Sequence, residues 1–259
     1  MGRRASFRAA RLLTALVECI AIDQNSCAMR KILRTQLAAG LFVGVLLGTA
    51  AVSAHPLSGR NAAFVQSVDG TAIAPFMYLG AKHMVTGYDH LLFLVGVIFF
   101  LYKLEDVVLY VSLFTLGHSV TLLTGVLGGI RANPYLVDAV IAASVVYKGF
   151  ENIGGFDRLL GVRPNTKAAV LLFGLFHGFG LATKLQEFQL TRNGLVTNIV
   201  SFNVGVEIGQ VLALTFVLIA FTVWRTRDSF LKYAFATNTA LMTGGFILAG
   251  WQLAGYVLS

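Results

Sequence analysis

Long apolar runs parted by short polar turns constrain this chain more than anything else in it. From residue 75 to residue 259 they fall at roughly 75–102, 107–127, 135–153, 167–182, 196–223 and 233–257. Each is near or above the roughly 20 residues a helix needs to cross a hydrocarbon core of about 30 Å, 167–182 being the shortest. Gly128-Gly129, Asn133-Pro134, Gly154-Gly155 and Arg163-Pro164 punctuate the turns. Only 12% of the residues are charged, against roughly 25% in soluble domains, and the mean hydropathy is +0.75. The expectation is an all-α integral membrane protein, a bundle of about six transmembrane helices after a cleavable signal peptide. The first run is longer than one crossing needs. It is expected to tilt, or to break near Thr86-Gly87 with its first half lying at the interface.

The amino end reads as a targeting segment. Met29-Arg30-Lys31 and Arg34 form a basic start, 37–50 is an apolar stretch, and Val52-Ser53-Ala54 is a small-x-small cleavage signal. Residues 29–54 are thus a signal peptide, residues 1–28 an upstream extension, and 55–74 a short periplasmic leader before the transmembrane domain, 75–259. The uncleaved alternative makes 37–50 a first membrane helix, but the run is short for that. Cleavage would leave His55 as an amino-terminal residue able to chelate copper or nickel. Both cysteines, Cys19 and Cys27, lie in the extension, so the mature chain has no disulfide, zinc-thiolate site or cysteine nucleophile.

The formal charge of +8 fits basic helix flanks better than a nucleic-acid surface, because no basic patch is interleaved with aromatics. If residue 75 starts outside, inner loops hold Lys103, Arg158, Arg163, Lys167, Arg225, Arg227 and Lys232, and outer loops Arg131, Lys184 and Arg192. Seven against three follows the positive-inside rule and is expected to place both mature termini in the periplasm. No nucleophile elbow, zinc-protease helix or phosphate-binding loop is present, so the chain is not expected to be an enzyme or to use ATP directly.

The polar residues inside the runs need partners or tasks, because ionisable groups are costly at membrane depth. His83, Asp89 and His90 stand in the first run, with Gly87 on the histidine face. His118 follows in the second and His177 in the fourth, where Gly174 and Gly178 form a small-xxx-small pair. Lys148 and Glu151 in the third run are expected to neutralise each other. Lys184 is expected to snorkel outward. Asn203, Glu207 and Gln210 share a face of the fifth run, and Gly205 and Gly209 form a second small-xxx-small pair. At about 1.5 Å per residue, His90, His118, His177 and Glu207 reach overlapping depths. Asp89 points about 100° from His90 and is expected to orient an imidazole of a neighbouring helix. A buried polar network, a metal or haem site, and a proton path all remain open on these residues alone.

The order of these elements resembles the HupE/UreJ family of bacterial membrane proteins, in its second HupE/UreJ-like branch. The resemblance rests on His83-x5-Asp89-His90-Leu-Leu-Phe-Leu, Gly117-His118-Ser119, Glu151-Asn152, Phe176-His177-Gly178 and Phe202-Asn203-Val-Gly-Val-Glu207-Ile-Gly-Gln210, and covers residues 55–259. It implies a multi-pass protein of the bacterial inner membrane, a transition-metal permease or metal-handling protein, with His83, Asp89, His90, His118, His177 and Glu207 as metal residues. Lys148, Glu151, Asn203 and Gln210 are the supporting polar network. The cargo would be a divalent transition metal, nickel first. Phe179-Gly180-Leu181-Ala182 stand where the nickel-permease branch has a second histidine and an acid, and imidazole with carboxylate suits copper, cobalt or zinc as well. Besides the bilayer and the metal, metalloenzyme-maturation proteins are the implied partners. The alternatives are a proton-coupled transporter and a haem- or copper-dependent redox-assembly protein.

Overall fold

The computed structural model describes residues 65, 67–187 and 192–259. The extension, the signal peptide, His55 and most of the leader lie outside the described residues. Seven α-helices carry the rest: α1 Ile73–Thr86, α2 Tyr88–Ile98, α3 Leu104–Gly128, α4 Pro134–Asn152, α5 Thr166–Gln186, α6 Leu195–Arg225 and α7 Ser229–Leu258. One π-helical turn, Phe156–Leu160, sits in the connector after α4. The described residues form no strand. Of these helices, α3, α5, α6 and α7 are each long and apolar enough to cross a membrane, so this is a multi-pass membrane protein.

Helix ends follow local chemistry. The Asn133 side chain accepts from the Tyr135 and Leu136 amides at 3.0 and 3.3 Å, and Pro134 fills the first helical position, where its missing N–H costs nothing. Asn165 caps α5 in the same way. α3 ends on Gly129, whose φ of 64° suits a residue without Cβ. In the connector, two hydrogen bonds from Arg163 hold the Asp157 carboxyl below the usual carboxylate range. That pair is open to solvent and contributes little to stability.

The first run does break at Gly87, whose ψ of 100° leaves the helical region. α1 packs lengthwise on α6, because glycines bring the backbones together. A Cβ on Gly205 would lie 1.9 Å from the Met77 carbonyl oxygen, and one on Gly209 2.6 Å from that of Ala81. Rising numbers meet rising numbers, so α1 and α6 are parallel. α3 and α5 are parallel for the same reason, Gly174 facing Phe114 and Gly178 facing His118. α4 and α7 are antiparallel, since Gly149 faces Met242 whereas Gly255 faces Tyr135.

Polar groups tie the pairs to one another. Lys148 donates to Glu151 at 2.6 Å, as the spacing leads one to expect, and Thr166 donates to the same carboxylate. Asn152 donates at 2.8 Å to both the Gly96 carbonyl and Asn238. Arg225 donates to the Phe99 carbonyl at 2.8 Å and to that of Ile98, closing the end of α2. Removing one partner of a buried ion pair strands the other charge, at about 3–5 kcal/mol. Glu151→Gln is therefore expected to lower the thermal unfolding midpoint more than Lys148→Met with Glu151→Leu. Equal losses would show that the pair does not hold the fold in this way.

Candidate metal centre

The break at Gly87 gives α2 a fresh amino terminus with Asp89 in its first turn, where a carboxylate is favoured. The backbone bends there without crowding the site: a Cβ on Gly87 would sit 3.0 Å from His90 Nδ1 and 3.2 Å from Asp89 Oδ1. Asp89 Oδ1 accepts from the His90 amide and from His90 Nδ1, each at 2.8 Å. Asp89 thus orients the imidazole of its own helix, not of a neighbour. Both residues lie in the first turn of α2, where the Asp89 carboxylate folds onto the His90 amide and so reaches the adjacent ring.

Four histidines from four helices come together. The His90 ring centroid lies 5.0 Å from that of His83, 4.9 Å from His177 and 6.1 Å from His118. All are buried, at 5% exposure for His83, 3% for His90, 1% for His118 and 0% for His177. His177 Nδ1 bonds the Phe173 carbonyl at 2.8 Å; a carbonyl only accepts, so this nitrogen carries the proton and Nε2 keeps its lone pair. Nε2 of His90 and His177, and both ring nitrogens of His83 and His118, have no hydrogen-bond partner. Each unsatisfied buried nitrogen costs about 1–3 kcal/mol, so the fold holds these groups at a loss.

Opposite sides of this layer differ. Phe93, Phe114 and Phe173 lie one turn from His90, His118 and His177, all on the side where α2 ends, with Phe93 5.4 Å from Phe114 and 5.8 Å from Phe173. On the other side is a cavity of about 20 Å³ lined by His83, Asp89, His90, His177, Asp138 and Lys184, among others. That is room for one water-sized body, and it does not admit a porphyrin. Lys184 does not snorkel freely: its Nζ lies 2.7 and 2.9 Å from the two oxygens of Asp138. Asp138 carries little signal in the sequence, a lone charge just inside the start of its helix.

The remaining candidates stand elsewhere. Glu207 is exposed on α6 and lines a groove of about 610 Å³ between α3 and α6, with Asn203 and Gln210. Asn203 donates to Ser119 at 2.9 Å, and Thr115 donates to Gln210 at 2.9 Å, so these groups fasten two helices. Lys148 and Glu151 form their own pair. Among the described residues, no three His, Cys, Asp or Glu side chains close round a common centre as they would on a tightly held ion. The histidines are gathered without being converged.

The sequence model described as HupE / UreJ protein matches residues 59–259. The chain belongs to the HupE/UreJ family. This HupE/UreJ protein is thereby associated with metal transport or handling, in a transport or accessory role. Neither the curated proteins nor the solved structures include a match to it.

Proposed function

We propose that this HupE/UreJ protein is a permease for a divalent transition metal, nickel first, with cobalt, copper or zinc as the other cargoes its ligands suit. The observation that carries the reading is the set of four buried imidazoles with unpaired nitrogens around His90, three of which, His83, His90 and His177, line a cavity with room for one water-sized body. Neutral imidazoles replace the water shell of a borderline cation. Loose gathering suits passage, because a transported ion must bind well enough to enter and weakly enough to leave. His83, His90 and His177 receive the cation from the cavity, His118 lies beyond them, and the aromatic layer is the barrier on the far side. Asp89 fixes the His90 tautomer with Nδ1–H toward the carboxylate and Nε2 toward the metal.

Six crossings follow from counting α1 with α2 as one and α4 as another. Alternating directions then make the first and fifth crossings parallel, the second and fourth parallel, and the third and sixth antiparallel, which agrees with the three pairings. We place it in the bacterial inner membrane, and the excess of basic residues in the loops after the first, third and fifth crossings supports periplasmic termini. In that orientation the cavity faces the periplasm. Glu207 has no place in this site.

The test is uptake of nickel, cobalt, copper or zinc into vesicles carrying the purified protein. Metal accumulation above protein-free vesicles is expected for at least nickel. Asp89→Asn is expected to lower affinity by about 10–100-fold, as loss of a ligand-orienting carboxylate does. Metal-independent proton flux without metal uptake would replace this reading by the proton-coupled one.

A further inference from the structure

The ion pair at the cavity's mouth is not explained by folding alone. Asp138 on α4 and Lys184 on α5 meet where Gly180 lets the helices approach, a Cβ there lying 2.9 Å from Ile141 Cδ1 and 3.2 Å from Val137 Cγ1. Both line the same small cavity as His83, His90 and His177. The side chains are 11% and 15% exposed, intermediate between the sealed histidines and solvent. Lys184 is two turns beyond His177 on α5, on the side away from the aromatic layer, so it stands about 10 Å above that ring along the axis.

We propose that Asp138 is an entry ligand for a divalent cation, beside the Asp89 carboxylate that lines the same cavity, and that Lys184 is the counter-charge the cation must displace. This rests on the permease reading and adds a gate to it. With Lys184 on Asp138 that pair is neutral, Asp89 is engaged with His90, and an ammonium stands in the way of a cation. When a hydrated divalent ion arrives, the flexible lysine stem swings outward. The carboxylate then takes an ion that still holds water, before the imidazoles strip it. Selection follows in two steps: an oxygen ligand admits most divalent ions, and the nitrogen layer beneath retains only those that favour imidazole. Lysine suits the task better than arginine, whose planar fork would grip the carboxylate through both oxygens.

The charges predict opposite effects for the two single variants. Cobalt(II), followed by its visible absorption, is titrated into the purified full-length protein. Lys184→Gln frees the carboxylate and is expected to tighten cobalt binding about tenfold, whereas Asp138→Asn leaves an unopposed ammonium and weakens it about tenfold. The double variant Asp138→Asn with Lys184→Gln should return to within about threefold of wild type, since the partners act through each other. Lys184→Arg keeps the pair and hence the fold. It is expected to slow cobalt association about tenfold in stopped flow, because a bidentate pair opens less readily. Single variants that move affinity the same way, or a Lys184→Arg protein that associates at the wild-type rate, would reduce the pair to a structural clamp and overturn the gate. If wild-type binding needs His90 while these variants fail, only the gate is lost. If His90→Ala binds cobalt as wild type does, the permease site and the gate fall together.

Discussion

Alanine at His90 is expected to lower nickel and cobalt affinity by more than about 100-fold, beyond what loss of an orienting carboxylate does, and to stop uptake. His90 is the hub of the layer: its ring is within 4.9–6.1 Å of the other three, and it is the ring that Asp89 orients. Without it, His83 and His118 lose the ring through which they are linked. Folding should survive, because the substitution also removes a buried nitrogen that has no partner in the absence of cargo. Asp89 keeps its bond to the backbone amide at position 90. Equilibrium dialysis with nickel measures the effect, with Glu207→Gln beside it as a variant of the separate groove that should bind as wild type. Equal nickel binding by His90→Ala and wild type would remove the site.

Much of this was legible because helices impose depth and face on a sequence. The apolar runs mark the helices to within about four residues, closest at Pro134–Asn152 against an expected 135–153 and widest at Thr166–Gln186 against 167–182 and Ser229–Leu258 against 233–257, while the first run divides into two helices. Depth arithmetic brought three histidines to one level, and the Gly174/Gly178 and Gly205/Gly209 pairs do mark helix contacts. Depth does not give direction around a helix axis. Glu207 shares the level, but its side of α6 faces the groove toward α3. Asp89 and His90 both lie in α2, so the 100° step between them stands; at the helix start the short Asp89 side chain instead folds onto the His90 amide and reaches its ring, which a step angle does not encode. Asp138 and Lys184 were missed as a pair because 46 residues and two turns of chain separate them. Only the approach of α4 to α5 makes them partners, and no local spacing encodes that.

The second large effect is expected where the histidine layer depends on backbone contact. A Cβ on Gly178 would lie 2.1 Å from the His118 carbonyl oxygen, 2.4 Å from Thr121 Oγ1 and 2.7 Å from the His118 carbonyl carbon. Two of these atoms are backbone and cannot swing aside, so α3 and α5 must part. Thr121 would lose its 2.7 Å bond to the Leu175 carbonyl, which staples the two helices. Gly178→Ala is therefore expected to destabilise by about 3 kcal/mol or more, at the upper end of overpacking costs. Metal affinity should fall with it, because the same two turns carry His118 and His177. Gly244→Ala is the contrast, since a Cβ there meets nothing within 4 Å and alanine is the better helix former by about 1 kcal/mol. Thermal unfolding followed by the fluorescence of Trp224 and Trp251 separates them. A Gly178→Ala protein as stable as Gly244→Ala, with wild-type nickel affinity, would mean that close packing of α3 on α5 does not set the spacing of the imidazoles.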